Sequence, residues 1–248
     1  MKKIVSRIVF ALVLTSYINT LSAQDRDSIS FHYPFLPGDE LWQKYETHQE
    51  RVAALQIPAN ILPTLPTKEL LQVCLNYPYL IDFLIGDNNL QSGIEILFSE
   101  FNGFLELLKR KDAGIVLLEE CGNLTNMTKT FESKTENERG HYSFIEIVLG
   151  MLIAQDEIID CIQDNQMKNL AETMLENLSI KDLYPQTFSK MNKIPTYLFL
   201  AKLAIKKNIG VRMVETDKLL EIIKSPTLSN AEAIENCPEL ITKIVKGI

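Results

Sequence analysis

Residues 142–163, YSFIEIVLGMLIAQDEIIDCIQ, decide the class of fold. The run is several times longer than an ordinary strand and holds no turn signal, so its apolar residues are read as helical. From Tyr142 to about Gln163 its middle is hydrophobic nearly all round, which predicts a helix surrounded by other helices. It is too short in unbroken apolar sequence to read as a membrane span, since Glu146 interrupts it early.

The same periodicity recurs outward from this stretch. Downstream it predicts helices near Met167 to Leu178, Thr196 to Lys207, Thr216 to Lys224, and Asn230 to Lys246, the last interrupted at Pro238. Upstream, Asp39 follows Pro37-Gly38 as an N-cap, and Leu41, Trp42, Tyr45, Val52 and Leu55 share one side of a helix reaching about Gln56. A proline-punctuated connector runs to Pro66. Thr67 is read as the cap of a helix carrying Leu70, Leu71, Cys74 and Leu75, and Pro78 as the opening of a short one. Helices are predicted over Leu90 to Phe101, Asn102 to about Arg110 and Asp112 to Glu120, with Gly122 as a C′ residue.

Residues 123–140 are rich in Thr, Asn, Glu and Lys, and are read as an exposed linker loop. No stretch shows the alternation and hairpin turns of a strand. The expectation is therefore an all-α, multi-helical array of about ten helices, an irregular bundle or solenoid-like. It forms one large domain or two helical halves, 24–122 and 141–248. Asn76-Tyr77-Pro78-Tyr79-Leu80-Ile81 echoes Asn236-Cys237-Pro238-Glu239-Leu240-Ile241, which alone establishes no repeat period.

Residues 1–23 read as a secretory signal peptide. Lys2, Lys3 and Arg7 precede the compact apolar run Ile8 to Leu14, and Leu21-Ser22-Ala23 suits cleavage before Gln24. The expected product is exported, periplasmic or extracellular, with no transmembrane segment. Without the three basic residues of the signal, 22 basic face 32 acidic residues, a net charge of −10. That balance argues against nucleic acid as a partner and makes Lys109-Arg110-Lys111 the positive end of a helix. Cys74, Cys121, Cys161 and Cys237 enter an oxidising compartment, yet a chain of this size does not need disulfides. Free buried thiols are the preferred reading, with Cys121 and Cys237 the pair to check first.

Chemistry-bearing patterns are sparse. His32, His48 and His141 lack any helical zinc spacing, and His48 reads as a packing residue. Cys121 and His141 flank one loop and form a conceivable nucleophile pair, though spacing alone does not activate a thiol. Asp156, Asp160 and Asp164 recur every fourth residue beside Glu157. A cation or acid/base set is one reading, a solvated face opposite Ile158, Ile159 and Ile162 the favoured one. Phe98, Phe101 and Phe104 are an aromatic binding strip or, the favoured reading, core, and the segment Phe31 to Pro37, near Trp42, either presents Tyr33 and Phe35 to a partner or, the favoured reading, straps across the helices. No phosphate-cradling glycine loop or nucleophile elbow is present. Neither a catalytic, a cofactor-binding nor a metal residue is assigned.

From about Trp42 to Leu118 the chain resembles a family of uncharacterised exported proteins of Bacteroidota-type bacteria. The likeness is carried by Gln56-Ile57-Pro58, Ile61-Leu62, Thr67, Leu70-Leu71, Asn76-Tyr77-Pro78, Gly93, Phe101-Asn102-Gly103, Glu106-Leu107 and Arg110 through Ala113. The resemblance implies an exported helical domain and transfers no catalytic residue. In that setting Asp27-Ser28-Ile29 looks like an O-glycosylation triplet, while Asn123-Leu124-Thr125 is a sequon only for a eukaryotic host. The expected function is a binding or scaffold module of the cell envelope with a protein, peptide or glycan partner. The alternative is a hydrolase assembled from scattered Glu, Asp, Cys or His residues.

Overall fold

A computed structural model describes residues 31–85, 89–128 and 130–248. The signal at 1–23 and the triplet at 27–29 lie outside the described residues. The chain is all-α, with thirteen α-helices, ten of them of seven residues or more, and no strand among the described residues.

In chain order the helices are α1 (Glu40–Lys44), α2 (His48–Ala54), α3 (Thr67–Leu75), α4 (Leu90–Glu100), α5 (Asn102–Leu107), α6 (Ala113–Thr128) and α7 (Glu136–Ile153). They continue as α8 (Asp156–Cys161), α9 (Asp164–Leu183), α10 (Ile194–Lys206), α11 (Met213–Lys224), α12 (Leu228–Glu235) and α13 (Pro238–Gly247). Short 3-10 turns occupy Leu80–Ile85 and Lys190–Lys193, among others.

The hydrophobic stretch at 142–163 is the centre of the molecule, but it is two helices. Ser143 to Ala154 is buried apart from Glu146, and α7 packs against α4, α6, α8 and α10. The chain turns at Ala154–Gln155, where the Gln155 amide donates to Met151 O at 2.7 Å, and α8 then starts afresh. Helix α10 is the second central rod, buried from Ile194 to Leu200 and enclosed by α7, α9, α11, α12 and α13. The rods approach closely at Gly150, where a Cβ would stand 2.6 Å from Pro195 Cβ. Gly93 serves α4 in the same way, since a Cβ there would fall 2.1 Å from the Phe83 carbonyl oxygen.

Several boundaries differ from expectation, each for a local reason. The helix expected over 39–56 is α1 and α2, because Thr47 and Glu50 form a capping box that starts a new helix. Asp39 does not cap α1 through its side chain; its Oδ2 accepts from Leu36 N. Thr67 is inside α3 and donates its hydroxyl to Asp112 Oδ1 at 2.7 Å. Pro78 lies in the turn before the 3-10 segment at Leu80–Ile85.

Gly122 does not end its helix. Helix α6 runs on to Thr128, and a second capping box, Thr135 with Glu138, starts α7 at Glu136. Much of 123–140 is thus helical, and α6 and α7 pack on one another. Apart from Phe131 and Phe188, the buried hydrophobic residues form one cluster drawing on both sides of this junction, from Phe31 to Ile244.

The strap reading holds for the described part of the amino-terminal segment. Phe31 and Phe35 are buried, and Tyr33 donates its hydroxyl to Val73 O at 2.9 Å while packing against Phe101. Phe101 and Phe104 are core and Phe98 packs against it. None of the four cysteines is joined in a disulfide. No helix among the described residues is long and apolar enough to cross a membrane.

Candidate functional site

A cleft of about 610 Å3 opens beside the first turns of α7. Phe144 and Ile147 of α7, Leu84 and Met191 supply apolar walls. Asn137, Gln186, Thr187 and Ser189 place amides and hydroxyls around them, while Glu136, Arg139 and His141 bring the ionisable groups. The volume and the mixture of apolar walls with a few polar groups are those of a ligand site. Its position follows from local sequence. The capping box at Thr135–Glu138, with Thr135 N donating to Glu138 Oε2 at 2.8 Å, fixes where α7 begins.

Beneath the cleft a polar network ties α7, α9 and the 3-10 turn at Lys190–Lys193. Asn192 is 1% exposed; its amide donates to Ser143 O at 2.7 Å and its Oδ1 accepts from Ser143 Oγ and Ser189 Oγ, both at 3.2 Å. Asn192 O accepts from Lys181 Nζ at 2.8 Å, and the buried Lys181 is also ion-paired with Glu146. Every member is partnered, so the network makes a rigid floor.

Cys121 lies beneath that floor beside Glu146, Asn177 and Lys181. Burial, reinforced by the charge of Glu146, pushes its thiol up to about 12, and burial also lowers the pKa of His141. A thiol so raised is protonated at neutral pH, the opposite of what a nucleophile pair requires. Ser143 is no better placed, since its hydroxyl donates to an amide oxygen and not to an imidazole.

The other sequence candidates fall elsewhere. Asp156 and Asp160 of α8 and Asp164, which opens α9, are exposed and face Lys202 and Lys206 of α10 and Lys207 just past its end, with Asp156 Oδ1 3.0 Å from Lys202 Nζ. They are a solvated face with a lysine ladder. Arg110 pairs with Glu106 at 2.8 Å and donates to Leu62 O, so the basic triplet includes an intramolecular anchor.

His48 is the residue whose surroundings the sequence did not disclose. Its Nε2 stands 2.8 Å from Glu100 Oε1 and 3.8 Å from Asp82 Oδ2, and its ring meets Tyr79 edge-on at 4.4 Å. These positions are 34 and 52 residues away in the chain, so no spacing rule could have joined them. Reciprocal bonds hold Glu100 in place: Gln56 Nε2 donates to Glu100 O at 2.7 Å, and Asn102 N donates back to Gln56 Oε1 at 2.9 Å. Asn102 also grips both backbone groups of Ile57. The Gln56–Ile57 stretch and Asn102 thus lock to each other beside this cluster.

Burial and the adjoining Glu100 charge, partly offset by His48, raise Asp82 to about 6. Burial, then the charges of Glu100 and Asp82, raise the Tyr77 phenol above its ordinary range. No protein-family model, curated protein or solved structure matches the chain.

Proposed function

We propose that this chain is an exported helical binding module whose α7 cleft takes an apolar side chain of a peptide or protein partner in the cell envelope. The observation that supports this reading is the cleft itself, with apolar walls, a hydrogen-bonding rim and a rigid polar floor. Asn137, Gln186, Thr187 and Ser189 offer both donors and acceptors, which suits the main chain of a peptide on either side of the inserted side chain. The hydrolase alternative draws less support, because Cys121 is held protonated and Ser143 is engaged with Asn192. Export rests on the sequence of residues 1–23, and no nucleic acid is expected at a net charge of −10.

The test is a crosslinking pull-down from envelope extract with the purified protein and two variants. At Gly140, which lines the cleft, an added Cβ meets no atom of the described residues within 4 Å, so Gly140→Trp adds bulk at the cleft wall without a clash at its Cβ. Met213→Lys changes the apolar Met213–Val214 surface at the start of α11, which is 82% exposed at Met213 and does not line the cleft. Capture lost only in Gly140→Trp supports the cleft. Capture indifferent to Gly140→Trp, or none at all, overturns the reading.

A further inference from the structure

We infer that His48, Asp82 and Glu100 form a binding site for one divalent transition-metal ion of the zinc or manganese type, which staples α2 to the 3-10 turn at Leu80–Ile85 and the end of α4. The site is separate from the cleft and independent of the function proposed for it.

The three candidate ligand atoms, one imidazole nitrogen and one oxygen from each carboxylate, lie within 4.8 Å of one another. Ligands around a zinc ion at ~2.0–2.2 Å stand roughly 3.3 Å apart, so Nε2 to Glu100 Oε1 must open by about half an ångström and Nε2 to Asp82 Oδ2 must close by a similar amount. Side-chain rotation supplies such shifts. One nitrogen with two carboxylates suits zinc or manganese better than calcium, which collects six to eight oxygens.

Two features at the same place point beyond an ordinary ion pair. Tyr77 is 2% exposed, and its hydroxyl is buried with no hydrogen-bond partner among the described residues while lying in the field of Glu100 and Asp82. The second oxygen of Glu100 is also buried and without a partner among the described residues. Buried polar atoms in native proteins are rarely left so, and a bound ion with its water would give both a role. The phenol could donate to the free carboxylate oxygen or to metal-bound water, the outer-shell support that metal ligands commonly have. His48 is the half-exposed member and gives the ion its entry path from solvent.

The experiment is calorimetric titration of chelator-treated protein with Zn2+, Mn2+ and Ca2+ separately, alongside the melting temperature and a Co2+ absorption spectrum. The site requires one saturable Zn2+ or Mn2+ per chain, a rise in melting temperature, and a cobalt spectrum of nitrogen and oxygen ligation. Asp82→Asn and Glu100→Gln keep side-chain shape and should abolish binding with the helical circular dichroism unchanged. Tyr77→Phe should weaken it about tenfold. Absence of saturable binding, binding unaffected by both carboxylate variants, or thiolate bands in the cobalt spectrum overturns the inference.

Discussion

Lys181 and Glu146 show how much one residue's neighbours decide. Lysine is seldom buried, yet Lys181 is 5% exposed in the interior face of α9. It persists there because Glu146 neutralises it and Asn192 O accepts a second hydrogen. Lys181→Met leaves the Glu146 carboxylate in the floor without its cation and should cost about 3 kcal/mol. Lys181→Met with Glu146→Leu removes both charges and should recover most of that loss, as measured by urea unfolding. Similar losses in the single and double variants would mean that packing, not charge, is what Lys181 supplies. Nothing in the sequence announces this pair, since Glu146 sits in the most apolar stretch of the chain. By contrast, the solvated character of Asp156 and Asp160 was legible, because Ile158 and Ile159 claim the opposite face of α8, although Asp164 proves to open the next helix.

At the scale of the element, helix existence was legible and helix ends less so. Apolar periodicity does not register a capping box, and so α1 and α2 read as one helix although Thr47 and Glu50 divide them. The T-x-x-E signature at Thr135–Glu138 was readable and would have moved the start of α7 back from Tyr142 to Glu136, inside the supposed loop. The break at Gln155 had no such mark; it depends on a buried amide bonding back to Met151 O. Helix α11 shows what one start signal contributes. Glu215, in its first turn, accepts from Arg212 N and Nε at 2.8 Å each and from Lys243 Nζ at 3.3 Å. These bonds, the side-chain bond to Arg212 foremost, hold its carboxyl down to about 2, below the usual 4.5. A depressed folded-state pKa stabilises the fold above the unfolded value, and that contribution fades as pH falls from 4.5 towards 2. Glu215→Gln should therefore lower the melting temperature at pH 7, with the gap to the parent closing by about pH 2. A gap constant from pH 7 to pH 2 would assign the loss to something other than the carboxylate's charge.

For the whole molecule, the sequence left open one domain or two halves joined by a polar linker. The reason lies in 123–140, whose Thr, Asn, Glu and Lys content suggests exposure and says little about helicity. Polar residues on the outer face of a helix satisfy the same composition, and α6 carries Asn126 exposed. What composition cannot show is that α6 also reaches α3 on one side and α7, α8 and α9 on the other. Leu117 and Cys121 are buried in the same cluster as Leu71 and Leu170, so neither half can close its core alone. The metal site and the cleft inherit this dependence: the 3-10 segment Leu80–Ile85 carries Asp82 of the one and Leu84 of the other. The chain should then unfold in a single transition, with circular dichroism and tryptophan fluorescence from Trp42 coinciding in urea, although Trp42 reports only on the amino-terminal side. The separate pieces 24–122 and 123–248 should each lack a cooperative transition, since cutting there exposes the α6 residues that face α7. A fragment that melts cooperatively alone, or an early fluorescence change that leaves most of the helical signal intact, would instead assign the molecule two folding units.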